Sequence, residues 1–140
     1  MDTTKNQRSH CGISCALDVL GDKWTLIVVR DIELLHKKTF KEFVASSERV
    51  ATNILADRLK KLENYGLIAK KKAPNSLKVN HYSLTEKGLS LIPLLLELQS
   101  WAYDCLENAT GKITQSIAAS YQNDKNQTVQ QVRENYLKSL

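Results

Sequence analysis

Short helical patterns, one alternating hairpin and a long apolar helix predict a mainly α chain with a small β-hairpin. Two observations carry this. Apolar residues recur at helical spacing up to Leu62, and beyond Gly66 the period changes to two on either side of a Pro74-Asn75-Ser76 turn. A third observation concerns charge: between Lys37 and His81 eleven Lys or Arg face four acids, a local net charge of +7, while the rest of the chain nets −2. A concentrated basic middle suits a polyanion, or is simply solvated lysine.

The elements follow in order. Ser14 to Leu20 forms the first helical pattern and ends at Gly21, a residue suited to a helix C-terminus. Asp22 can cap the next helix, KWTLIVVRDIELL, whose Trp24, Leu26, Ile27, Val28, Val29 and Ile32 crowd more than one face and place it at the centre of the core. Thr39 starts a short helix carrying Phe40, Phe43 and Val44, and Ala45, Ser46 and Ser47 turn out of it. From Ala51 to Tyr65, Leu55, Leu59 and Leu62 stand at i, i+4 and i+7 and face inward, so Asn53, Ala56, Asp57 and Lys60 point outward with Thr52 and Arg58 on the flanks. Asp57 is expected to pair with Lys61 or Arg58, with a cytosine amino group as the alternative. Gly66 stops this helix, and LIAKKKA and LKVNHYSL alternate as two strands. Thr85 can cap a last long helix to Asn108, and Pro93 within it implies a kink or a break. This helix is apolar nearly all round, so it needs a second surface, for which a twin subunit is the simplest source. Residues 110–140 are rich in Gln, Asn and Ser, yet Ile113, Ile117, Tyr121, Val129, Val132 and Tyr136 keep a helical spacing, an amphipathic extension.

Three helices followed by a hairpin is the order of a winged helix-turn-helix. The second helix of its pair fits the major groove, where each base pair displays a distinct donor and acceptor pattern, and the hairpin lies on phosphates. Double-stranded DNA is therefore the expected partner, read by helix 51–65 with wing 67–84 on the backbone. The expected contacts are Thr52, Asn53, Ala56, Arg58 and Lys60 on the helix and Lys70, Lys71, Lys72 and Lys78 on the wing. Lys38, Thr39 and Lys41, at the entrance of the preceding helix, add the far side of the groove. Arg58 has two readings, a phosphate contact or a structural pair with a nearby acid.

The blocks CGISCALDVLGDKWTLIVVRDI, TFKEF, VATNILADRLKKLENYGLI, YSLTEKG and LQSWA, in that order, resemble the HxlR-type winged helix-turn-helix regulators, relatives of the MarR group. The resemblance runs from Cys11 to Ala102. It implies a homodimeric bacterial transcription factor, joined through its first and last helices, and a repressor is the expected role. Leu89, Ile92, Leu95, Leu96 and Trp101 are then the expected interface residues. The domain layout becomes an arm over 1–10, the winged domain over 11–108 and a helical extension over 109–140. Where family members often have Ser as the cap of the recognition helix, this chain has Ala51, which leaves capping to Thr52 or the first amides to a phosphate.

Three cysteines are too few and too odd in number for a disulfide framework. Cys11 and Cys15 lie at a helix start beside His10, where the helix terminus favours a thiolate. The resemblance makes Cys11 a candidate sensor of oxidants, quinones or aldehydes, with Cys105 as a possible cross-subunit partner; buried inert thiols are the alternative for Cys15 and Cys105. Two rival functions are a metal-responsive regulator using His10, Cys11 and Cys15 and a small thiol oxidoreductase. One short cluster supplies three ligands at most, and CxxxC is not the redox spacing. No paired carboxylates, nucleotide loop or ordered nucleophile point to an enzyme, and no cofactor or metal is implied. MDTTKNQRSHCGIS lacks the apolar stretch of a signal peptide, and LSLIPLLLEL is too short to span a bilayer, so a cytoplasmic protein without a membrane partner is expected.

Overall fold

The computed structural model describes residues 8–140; most of the expected N-terminal arm lies outside them. The chain forms α1 (Gly12–Leu20), α2 (Thr25–Glu33), α3 (Phe40–Val44), α4 (Thr52–Asn64), β1 (Ile68–Ala73), β2 (Ser76–Leu84), α5 (Glu86–Leu89), α6 (Ile92–Cys105), α7 (Lys112–Asn123) and α8 (Lys125–Lys138). This is the mainly helical, winged helix-turn-helix order expected. The chain divides into two compact units, Met1–Gly88 and Leu89–Leu140.

In the first unit α2 is the central element and packs on α4 and β2, while α3 and β1 both touch α4. Val28, Val29 and Ile32 meet a core completed by Phe43, Leu55, Leu59, Leu62, Leu67, Ile68 and Leu84, all buried. Burying each such side chain stabilises the fold by about 1.5–3 kcal/mol before entropy is counted. Local chemistry sets the boundaries. The Asp22 carboxylate accepts from the amides of Trp24 (2.9 Å) and Thr25 (3.0 Å) and so caps α2 as expected. Thr39 opens α3 with a reciprocal capping box: its hydroxyl accepts from the Glu42 amide at 3.2 Å, and Glu42 accepts from the Thr39 amide at 3.2 Å. Gly66 ends α4 at φ +72°, a left-handed conformation that glycine adopts without steric cost. The hairpin pairs Ile68 with Leu84, Lys70 with Tyr82, Lys71 with His81 and Lys72 with Asn80, and the register shifts between Lys72 and Ala73. The Tyr82 amide donates to the Lys38 carbonyl at 2.7 Å, which ties the wing to the chain entering α3.

The long last helix expected from Thr85 onward is two helices. The chain breaks between Leu89 and Ile92, where Pro93 falls in the first turn of α6 and its missing amide costs nothing. In the second unit α6, α7 and α8 each touch the other two. Tyr121, Val132 and Tyr136 are buried as their spacing implies, whereas Ile113 is exposed. The extension is two helices because Asp124 ends α7 and caps α8, accepting from the Gln127 amide at 3.1 Å. Polar bonds fix α7 and the start of α8 to α6. The Tyr121 hydroxyl and the Lys125 amine both donate to Glu97 at 2.8 Å, and the Gln122 amide donates to Ser100 at 2.9 Å and to Asp104 at 3.1 Å.

Candidate nucleic-acid interface

The expected reading face is on the surface. Leu55, Leu59 and Leu62 seat α4 on the core, and Thr52, Asn53, Ala56, Asp57 and Lys60 are exposed on its other side. Ala51 provides no side-chain cap, so no side chain of the N-cap residue takes up the first amides of α4.

Arg58 has a structural role. Its Nε donates to Asp22 at 2.9 Å, and a terminal nitrogen pairs with Asp57, as expected of that acid. Asp22 thus joins α2 to α4: it accepts from the amide and, at 2.5 Å, the hydroxyl of Thr25 at the start of α2, and it holds α4 through Arg58, with Lys61 at 3.8 Å. Burial pushes the Asp22 carboxyl up, but the bonds from Thr25, Arg58 and the two amides overcome this and hold it well below the usual carboxylate range. These residues fix the rotation of α4 about its own axis, and hence which side chains it presents.

A second network sets the turn between α3 and α4. Arg30 of α2 donates to both oxygens of Glu48, at 2.6 and 2.8 Å, and to the buried Asp31 at 2.6 Å. Asp31 also accepts from the Ser46 hydroxyl, and Lys37 reaches Ser46 at 2.7 Å and Asp31 at 3.7 Å. The Arg30 bonds hold the Glu48 carboxyl down to about 2. The sequence marked Ser46 only as part of a turn and did not single out Asp31 or Glu48. The signal available was an acid at the inward-facing position of the most apolar helix.

On the wing, the register places Lys70 and Lys72 on the face that carries Tyr82 and Asn80, and Lys71 on the opposite face with His81. Lys70, Lys71, Lys72 and Lys78 are all exposed, and Lys70 lies 3.6 Å from Glu63 of α4. Lys38 and Thr39 are half-buried at the start of α3.

Cys11 is exposed at the N-cap of α1, and the amides of Ser14 and Ile13 hold its thiol below the ordinary value. The Cys15 thiol donates to the Ser9 carbonyl at 3.3 Å. Cys105 is exposed at the end of α6, which departs from the buried-thiol alternative. Among the described residues no group of three His, Cys, Asp or Glu side chains could hold a metal ion, so His10, Cys11 and Cys15 do not make the site that a metal-responsive reading requires. No helix among them is long and apolar enough to cross a membrane.

The apolar residues of α5 and α6 divide in a way their number did not reveal. Leu89, Ile92, Leu95 and Leu96 are buried within the chain itself, so of the five expected interface residues only Trp101 is open. The exposed stripe is Leu94, Leu98 and Trp101, at i, i+4 and i+7, and Cys105 continues it at i+11. On α1, Ile13 and Leu17 are exposed as well.

Residues 19–110 match the family model described as HxlR-like helix-turn-helix. The uncharacterised HTH-type transcriptional regulator YvaP of Bacillus subtilis is 32% identical over 104 residues, covering 73% of this chain and 94% of YvaP. The HTH-type transcriptional regulator YodB of the same organism is 31% identical over 87 residues, 62% of this chain and 77% of YodB. The reduced form of YodB superimposes with a TM-score of 0.56 at 29% identity over 71% of this chain and 97% of YodB, and YodB structures exist in diamide-treated and quinone-bound forms. The redox regulator HypR in its reduced form gives a TM-score of 0.62 at 28% identity, covering 69% of this chain and 95% of HypR. With the winged fold in place and two thirds of its length matched, the chain belongs to the HxlR-like helix-turn-helix family.

Proposed function

We propose that this chain is a dimeric, sequence-specific DNA-binding repressor that reads an operator through residues 51–65, rests wing 67–84 on the backbone, and is switched by oxidation or alkylation of Cys11. It is a transcriptional regulator of a non-enzymatic family, which disposes of the oxidoreductase reading. The single observation that carries the DNA reading is the outward face of α4, with Thr52, Asn53, Ala56 and Lys60 exposed above a fully buried leucine row. Asn53 is suited to adenine through two hydrogen bonds, and Lys71, Lys72 and Lys78 are suited to phosphates. Arg58, held by two carboxylates, acts as the residue that orients this face. Lys38 and Thr39 complete the backbone contacts.

The stripe Leu94, Leu98 and Trp101 and the exposed Ile13 and Leu17 support a homodimer through α6 and α1, because apolar side chains in such rows favour a partner over water. Two reading helices then reach successive major grooves about 34 Å apart on a palindromic site. The lowered Cys11 thiol and the redox relatives support the switch, with an oxidant, quinone or aldehyde as inducer; the exposure of Cys105 on the same stripe as Trp101 supports it as the partner of Cys11 across such a dimer.

The test is a titration against genomic fragments, including the promoter of the protein's own gene, at two salt concentrations with and without diamide. Fragment-selective, salt-sensitive binding that diamide abolishes is expected, and Cys11→Ser should keep the binding and lose the response. Release of DNA by diamide from the Cys11→Ser protein rules out Cys11 as the switch, and absence of selective binding rules out the DNA reading.

A further inference from the structure

Two non-glycine residues among those described have a positive φ, His36 at +56° and Arg49 at +57°. In that left-handed region a Cβ crowds the neighbouring carbonyl, a cost that glycine escapes and that Asn, Asp and His tolerate best. Arg49 is therefore the anomalous one. It stands in the turn between α3 and α4, two residues before Ala51, where a glycine would take the same conformation without steric cost.

The conformation is imposed by the neighbours of Arg49 and not by its side chain. The Arg49 amide donates to the Ser46 carbonyl at 3.0 Å, Ser46 is itself buried and bonded to Asp31, and Val50 on the other side is buried as well. The Arg49 side chain is exposed, and among the described residues nothing pairs with its guanidinium. Glu48, the adjacent acid, gives both oxygens to Arg30 and so does not neutralise it. Strain held in place by its surroundings in this way clusters at binding sites. An unpaired guanidinium presents a planar fork of donors that matches two oxygens of one phosphate. The turn leads directly to Thr52 and Asn53 on the exposed face of α4.

We propose that the Arg49 guanidinium binds a DNA phosphate beside the point where α4 enters the groove, so that the strained backbone serves binding and not folding. The inference rests on the DNA reading above and adds a contact to it. The fork fixes the register of α4 along the backbone, which strengthens binding to any duplex and carries no base preference.

The test pairs thermal stability with DNA binding in the full-length wild type, Arg49→Gly, Arg49→Asn and Arg49→Lys. Glycine and asparagine both accept the left-handed conformation, and asparagine does so without the extra freedom of glycine. Arg49→Gly and Arg49→Asn should therefore melt about 2 °C or more above the wild type. In the same two variants the Kd for the selected fragment and for random duplex DNA should rise about tenfold, and the salt slope should fall by about 1. Arg49→Lys keeps the charge and loses the fork, so it should bind with an intermediate Kd and the wild-type slope. A structural role for Arg49 gives the opposite pairing, a lower melting temperature with weaker binding, and that pairing overturns the proposal. Wild-type affinity in either Arg49→Gly or Arg49→Asn, or weaker binding with an unchanged slope, overturns it as well. A wild type that binds neither DNA overturns the DNA reading and this contact with it, an outcome told apart because all the proteins then behave alike.

Discussion

Arg30→Met should lower stability by about 3 kcal/mol, at the low end of what an uncompensated buried charge costs, and should weaken DNA binding beyond what the lost stability explains. The carboxylate of Asp31 is 1% exposed and Arg30 is its nearest cation, at 2.6 Å, while Lys37 at 3.7 Å and the Ser46 hydroxyl remain to it after the substitution. Methionine keeps an unbranched apolar stem on α2 and removes the fork. The same fork holds Glu48, so the turn that sets the angle between α3 and α4 is released as well. Urea unfolding and a fragment titration under native conditions separate the two effects. A variant as stable as the wild type would mean that Lys37 and Ser46 suffice for Asp31.

The second large effect belongs to Glu33, which is fully buried with neither carboxylate oxygen hydrogen-bonded. Burial pushes it up from an ordinary 4.5 to about 8. Between those values the folded state keeps a proton that the unfolded state has lost. Stability on this account is full below pH 4.5, falls as pH rises, and is flat again above about 8. The isosteric Glu33→Gln removes the titration and nothing else. It should be about as stable as the wild type at pH 4 and more stable by about 3–5 kcal/mol at pH 9. Parallel stability curves for the two proteins would show that Glu33 ionises normally.

What the sequence revealed depended on whether one residue pattern has one structural meaning. The α4 face and the hairpin were legible because a leucine row at i, i+4 and i+7 fixes which side of a helix is out, and alternation fixes which side of a strand. Pro93 marked the break before α6 for the same reason: a missing amide fits only a first turn. Glu33 was not legible, since an acid in the last turn of IELL looks like a solvated position until the elements around α2 close over it. Nor could the interface stripe be placed. Leucines crowd α6 all round, and only the packing of α7 and α8 on that helix shows that some faces are used within the chain, leaving Leu94, Leu98 and Trp101. Arg58 stood between two roles because its partner Asp22 is 36 residues away, a distance over which sequence spacing carries no information.

The division of labour between α4 and the wing is tested most directly by paired titrations of Asn53→Ala and Lys71→Gln on the selected fragment and on random duplex DNA, across a range of salt. Asn53→Ala should cost about 1–3 kcal/mol on the fragment and little on random DNA, whereas Lys71→Gln should weaken both alike and reduce the salt slope by about 1. Equal losses from both variants on both kinds of DNA would contradict a reading helix anchored by its wing.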